Sequence, residues 1–116
     1  MPEIACGFES GTIRVFSLAT TSLKLEVEEH LKTVYHILYH PNGKSLYSAG
    51  ADGSLALYDS NDAYRCLKNA TDTVYQNAFL PSYALALDDQ GNRGALIGPS
   101  QFLITVFSGR TLDEVS

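Results

Sequence analysis

His30, Ser48 and Asp52 together have the composition of a hydrolase triad. An imidazole could take the hydroxyl proton while a carboxylate orients the ring. The context argues against that chemistry. A nucleophilic serine of this kind stands at a sharp turn between a strand and a helix, in a Gly-x-Ser-x-Gly setting. Ser48 lies instead in Leu46-Tyr47-Ser48-Ala49-Gly50, a strand-like run. His36 and His40 are four residues apart, but in a strand that spacing puts them about 13 Å from each other, too far to share one zinc ion. Asp88 and Asp89 could pair as general acid and base, yet they fall in a turn with no nucleophile beside them, where aspartate is simply a favoured turn residue. Cys6 reads as a small buried residue of a central strand. Cys66, in an outer strand, reads as the more exposed and more reactive of the two. Asn69-Ala70-Thr71 matches a glycosylation sequon, expected to go unused because no secretory signal precedes it. No catalytic residue, cofactor or metal site is expected, and the chain is not expected to be an enzyme.

The elements that must position these residues are short strands. The candidates are Ile4–Gly7, Thr12–Leu18, Leu23–Glu28, Val34–His40, Ser45–Gly50, Ser54–Tyr58, Tyr64–Lys68, Ser82–Asp88, Arg93–Ile97, Leu103–Phe107 and Leu112–Val115. Each is rich in Val, Ile, Leu, Tyr, Phe or Thr. Turn chemistry separates them, as in Glu9-Ser10-Gly11, Pro41-Asn42-Gly43-Lys44, Ala51-Asp52-Gly53 and Asp89-Gln90-Gly91-Asn92. No window of a dozen residues keeps a helical apolar stripe. Leu23, Leu25 and Val27 alternate with Lys24, Glu26 and Glu28, the pattern of a half-buried strand.

A chain of 116 residues with 45% hydrophobic and 18% charged residues is a globular domain, not a disordered one. The formal net charge of −5 disfavours nucleic acid and anionic membrane surfaces, and no apolar run reaches the roughly 18 residues of a membrane helix. Two cysteines are too few for a disulfide framework, so a reduced, cytoplasmic setting is expected.

An internal repeat runs through the chain. Tyr39–Gly50 aligns with Leu87–Gly98, placing Gly43 on Gly91 and Gly50 on Gly98. Leu55–Ser60 aligns with Ile13–Leu18 and Ile104–Gly109, so Phe16, Tyr58 and Phe107 stand 42 and 49 residues apart. The first spacing lies within the roughly 40–45-residue period of four-stranded propeller blades. The second implies an insertion near Asn69–Pro81.

On these residues the chain resembles the WD40-repeat family. The likeness is carried by His30, Val34–His40, Pro41-Asn42-Gly43, Leu46–Gly50, Ala51-Asp52-Gly53 and Leu55–Asp59. It implies an all-β, partial WD40-type β-propeller of between two and three four-stranded antiparallel blades. Residues 1–22 would end one blade. Residues 23–63 would form a complete blade, and 64–116 the following one with its insertion near 69–81. The resemblance further implies a structural hydrogen-bonded tetrad of His30, Ser48, Asp52 and Tyr58, with Tyr58 at a position usually held by tryptophan. Phe16 and Phe107 carry no donor there, and Ser17 and Ser108 stand where aspartate is usual.

Ile4–Leu18, Gly53–Ser60, Ile97–Ser100 and Ser108–Val115 are similar to a centriolar branch of this family, of the proteome-of-centriole type. That likeness implies a non-enzymatic scaffold at the centriole or ciliary base, associated with microtubules through other domains. Its partners would be other proteins and the remaining blades of the same polypeptide. A generic adaptor of ubiquitin-ligase or trafficking type is the alternative. The candidate interaction loop is the long connection bearing Asn69, Asp72, Tyr75, Gln76 and Phe79.

Overall fold

The computed structural model describes residues 3–30, 33–50, 55–70, 85–97 and 104–113. Their regular elements are ten strands: β1 (Glu3–Gly7), β2 (Ile13–Ser17), β3 (Ser22–Val27), β4 (Val34–Tyr39), β5 (Ser45–Gly50), β6 (Leu55–Asp59), β7 (Arg65–Ala70), β8 (Leu85–Leu87), β9 (Arg93–Ile97) and β10 (Ile104–Ser108). The fold is all-β. Every pairing is antiparallel between sequence neighbours, giving sheets β1-β2-β3, β4-β5-β6-β7 and β8-β9-β10. This is a partial propeller of the WD40 type; among the described residues a four-stranded blade stands between two sheets of three strands.

The hairpins explain the meander. In Pro41–Lys44 the Gly43 N–H donates to His40 O at 2.8 Å, and Asn42 Oδ1 accepts from the Lys44 N–H at 2.8 Å. Gly43 takes φ +73°, the left-handed step that lets a short loop match the twist of its strands. The β8–β9 hairpin repeats this with Gly91, also at φ +73°. There Asp88 Oδ1 accepts from the Asn92 N–H at 2.8 Å, so its carboxylate serves the turn.

The core follows from period-two alternation. Leu46, Ala56 and Tyr58 of the central sheet pack with Ile13 and Val15 of the first. Tyr47, Ala49, Leu55 and Leu57 point the other way, against Leu85, Phe107 and Leu112. The central sheet therefore has no solvent face along β5 and β6. Burying each large apolar side chain there contributes about 1.5–3 kcal/mol.

The structure differs from several of these expectations. The sheets close one strand later than the repeat boundaries after residues 22 and 63, because β3 pairs with β2 and β7 with β6. A repeat period fixes spacing and leaves open which strand begins a sheet. Tyr64 lies in the β6–β7 turn, outside the strand expected to start there, while Asn69 and Ala70 extend β7. Leu112 and Asp113 belong to no strand; the Ser108 N–H donates to Asp113 O at 2.9 Å and turns the chain back. Cys6 is in β1, which pairs with β2 among the described residues.

Candidate functional site

His30, in the connection between β3 and β4, reaches into the central sheet. Its Nε2 stands 2.5 Å from Ser48 Oγ, and Ser48 Oγ stands 2.9 Å from the Tyr58 hydroxyl. Ser48 and Tyr58 face the same side because they sit on neighbouring strands, with Ser48 opposite Ala56. His30 is 5% exposed and the other two are fully buried. A serine hydroxyl has one proton and two lone pairs, so Ser48 can bridge His30 and Tyr58 at once. Buried as it is, Ser48 offers no approach to a substrate carbonyl. Asp52, the remaining member of the expected set, lies outside the described residues.

The strands equivalent to β6 end in capping oxygens. Ser17 Oγ accepts from the Thr20 N–H at 3.4 Å, Asp59 Oδ1 from the Asn61 N–H at 2.9 Å, and Ser108 Oγ from the Arg110 N–H at 3.3 Å. Serine at two of these positions does the turn work of the aspartate at the third.

A second cluster was not foreseen. Where the first two sheets meet, Tyr64 donates to Glu3 Oε1 at 2.6 Å, and the Tyr39 and Tyr64 hydroxyls are 2.9 Å apart. Lys24 Nζ pairs with the other oxygen of Glu3. These residues, with Ser60 and Asn61, line a cavity of about 570 Å³. The hydrogen bond from Lys24, and then that from Tyr64, hold the Glu3 carboxyl below its usual range. Burial, reinforced by the Glu3 carboxylate, pushes the Tyr64 phenol far above its ordinary value. Burial likewise raises Tyr39 and Tyr47. Glu3, Lys24, Tyr39 and Tyr64 come from four separate parts of the chain, and no spacing links them. The available signal was the polar run Ser60-Asn61-Asp62 between the expected strands Ser54–Tyr58 and Tyr64–Lys68.

At the other contact, His40 stacks on Tyr47 with ring centroids 6.4 Å apart, and Tyr47 donates its hydroxyl proton to Gly109 O. Tyr47 and Phe107 lie 6.4 Å apart and tilted by 50°. A Cβ on Gly94 would collide with the Phe107 ring, and one on Gly91 with the His40 ring.

Asn69, expected in an exposed loop, is half-buried in β7 opposite Ala56, its Nδ2 3.5 Å from Glu29 Oε2. A strand residue in that setting is a poor glycosylation acceptor. Asp72, Tyr75, Gln76 and Phe79 lie outside the described residues. Cys66 is half-buried like Cys6, and burial pushes its thiol up, which disfavours the reactive thiolate. Among the described residues no three of His, Cys, Asp or Glu stand close enough to hold a metal ion, and no helix is long and apolar enough to cross a membrane.

Consecutive antiparallel sheets packed face to face, with aromatic positions recurring blade by blade, define the chain as a member of the WD-repeat family. It is 35% identical over 112 residues to WD repeat-containing protein 90 of Xenopus tropicalis, a match covering 96% of this chain and 6% of that protein. The Homo sapiens protein of that name is 36% identical over 115 residues, covering 98% of the chain and 7% of the relative. Centriole proteome protein 16 of Chlamydomonas reinhardtii is 33% identical over 121 residues, covering 96% and 5%. The chain thus spans a small fraction of the length of the curated relatives it matches. No protein-family model matches the sequence.

Proposed function

We propose that this chain is a non-catalytic scaffold segment of a centriolar WD-repeat protein, working within a longer propeller array at the centriole or ciliary base. A protein-interaction role is the coarser statement, and WD-repeat relatives support it. The observation that carries the finer reading is a match over 96% of the chain to a protein named for the centriole proteome. Rigid sheets suit a scaffold because they hold loops in fixed relation. His30, Ser48 and Tyr58, together with Asp52, act here as a structural brace of the central blade. The connection bearing Asp72, Tyr75, Gln76 and Phe79 carries partner specificity.

With its net charge of −5, the segment itself does not hold the acidic surface of tubulin, so microtubule association belongs to other domains. Proximity labelling with the full-length parent protein tests the reading. Recovery of centriolar proteins supports it. Recovery of ubiquitin-ligase or vesicle components alone overturns it in favour of a generic adaptor.

A further inference from the structure

The groove between the first two sheets has an unusual balance of donors and acceptors. Tyr64 spends its one hydroxyl proton on Glu3 Oε1, so the 2.9 Å contact between the phenols must be a bond from Tyr39 to the Tyr64 oxygen. Ser60 spends its proton on Gly43 O at 2.8 Å. The hydroxyl protons of Tyr39, Ser60 and Tyr64 are therefore committed. What they leave toward the cavity is oxygen lone pairs beside a carboxylate. Such a site calls for a donor-rich cation, and Lys24 now supplies one.

Lys24 is a loosely held occupant. Its side chain is 50% exposed against 13% for Glu3, and an ion pair with so exposed a partner contributes little to stability. The carboxylate is the fixed element. Tyr64 anchors it from a turn in which Ala63 and Tyr64 both adopt left-handed φ, +51° and +57°. Two consecutive non-glycine residues in that region store backbone strain, of order 1–3 kcal/mol each, that the surroundings must hold in place. The other turns of this type have a single such residue, Thr21 or Leu112. The additional strained residue is the one that aims its phenol at Glu3.

We propose that this groove binds the guanidinium group of an arginine presented by a partner polypeptide, with Lys24 as its placeholder in the free protein. Five donors in a planar fork can engage the Glu3 carboxylate in two parallel bonds and still reach the Tyr39 oxygen, a wider and more directional span than a compact ammonium offers. A cavity of about 570 Å³ has room for the larger group. The acidic chain also draws basic segments toward it. This inference builds on the protein-interaction reading and names one chemistry of the partner.

The test is a titration of the 116-residue chain with N-acetyl-arginine amide, followed by NMR of the tyrosine ring signals. Saturable shifts of Tyr39 and Tyr64 are expected, with none from the uncharged N-acetyl-citrulline amide. Lys24→Ala, at an exposed position that should not disturb folding, is expected to tighten binding about two- to five-fold, the reach of a displaced surface ion pair. Glu3→Gln is expected to abolish it while the Tyr47 signals stay in place. An equal response to citrulline, no saturation, retained binding in Glu3→Gln, or unchanged affinity in Lys24→Ala overturns the assignment. None of these results bears on the proximity-labelling outcome, so the two readings fail separately.

Discussion

The two sheet-to-sheet contacts of this molecule are built on different terms. Between the first and second sheets, apolar packing of Ile13, Val15, Leu46 and Tyr58 is laced with polar bonds: the His30–Ser48–Tyr58 chain, the Glu3–Tyr64–Tyr39 cluster, and Val34 N–H to Phe8 O at 3.1 Å. Between the second and third, the His40 ring lies on Gly91 and Tyr47 packs on Phe107 and donates to Gly109 O, while Phe107 itself rests on Gly94 of its own sheet. The contrast begins at one repeated position. Tyr58 lies opposite Leu46, whereas Phe107 lies opposite Gly94. A phenol with a bonded tip can stand over a leucine; a phenyl with no polar tip gains most by sinking onto bare backbone. The first contact is laced by several polar bonds; the second rests mainly on aromatic packing and close approach to glycine, with the Tyr47–Gly109 bond beside it.

The sharpest way to break the comparison is at Phe107. Phe107→Ala should cost about 3–5 kcal/mol in denaturant unfolding, the usual cost of emptying a buried aromatic site. Gly94→Ala should be strongly destabilising in the wild type and much milder beside Phe107→Leu. Additivity of those two changes would show that the ring does not rest on Gly94.

The polar contact should yield somewhat less. Ser48→Ala leaves two buried groups short of a bond and should cost about 2–3 kcal/mol, more than Tyr58→Phe, which removes one end of the chain. Equal costs would mean that the serine does not link the two.

The matched glycines sharpen the contrast further. Gly43 and Gly91 share φ +73°, but a Cβ at Gly43 meets nothing within 4 Å while one at Gly91 strikes His40. Gly43→Ala should cost about 1 kcal/mol from backbone strain alone, and Gly91→Ala clearly more.

The smallest effects are in pH. Glu3 has a depressed carboxyl, so its contribution is present above the ordinary value of 4.5 and is lost as pH falls through the lower folded value. Glu3→Gln should flatten that acid limb. Tyr39, Tyr47 and Tyr64 have raised phenols, so their contribution holds below 10 and falls away as pH rises above it. Thermal melts from pH 3 to pH 11 (a range set by the ordinary carboxyl and phenol values) would show both limbs.

Much of the architecture was legible beforehand because it is written in local codes. Alternation along Leu23–Val27, and turn residues such as Asn42-Gly43, placed strands to within a residue or two. His30, Ser48 and Tyr58 were expected only through the family resemblance, and the central blade sets them within hydrogen-bond distance of one another. Glu3, Lys24, Tyr39 and Tyr64 were not, because they converge only when one sheet packs on another. Nor did residue type reveal the left-handed turns. Thr21, Ala63 and Leu112, each five residues after the repeated aromatic, share a conformation that glycine or asparagine would ordinarily announce. The repeat persists in backbone shape at a position where composition has drifted.

The central sheet is apolar on both sides, and that decides how the molecule must come together. A lone β4–β7 meander would offer water two greasy planes and gain little from pairing its own strands. It becomes worth forming only when a neighbour is ready to receive it. Assembly is therefore expected to proceed like closing a fan, each leaf settling against the one before, and hydrogen exchange at β5 and β6 should report the slowest, most collective opening in the chain.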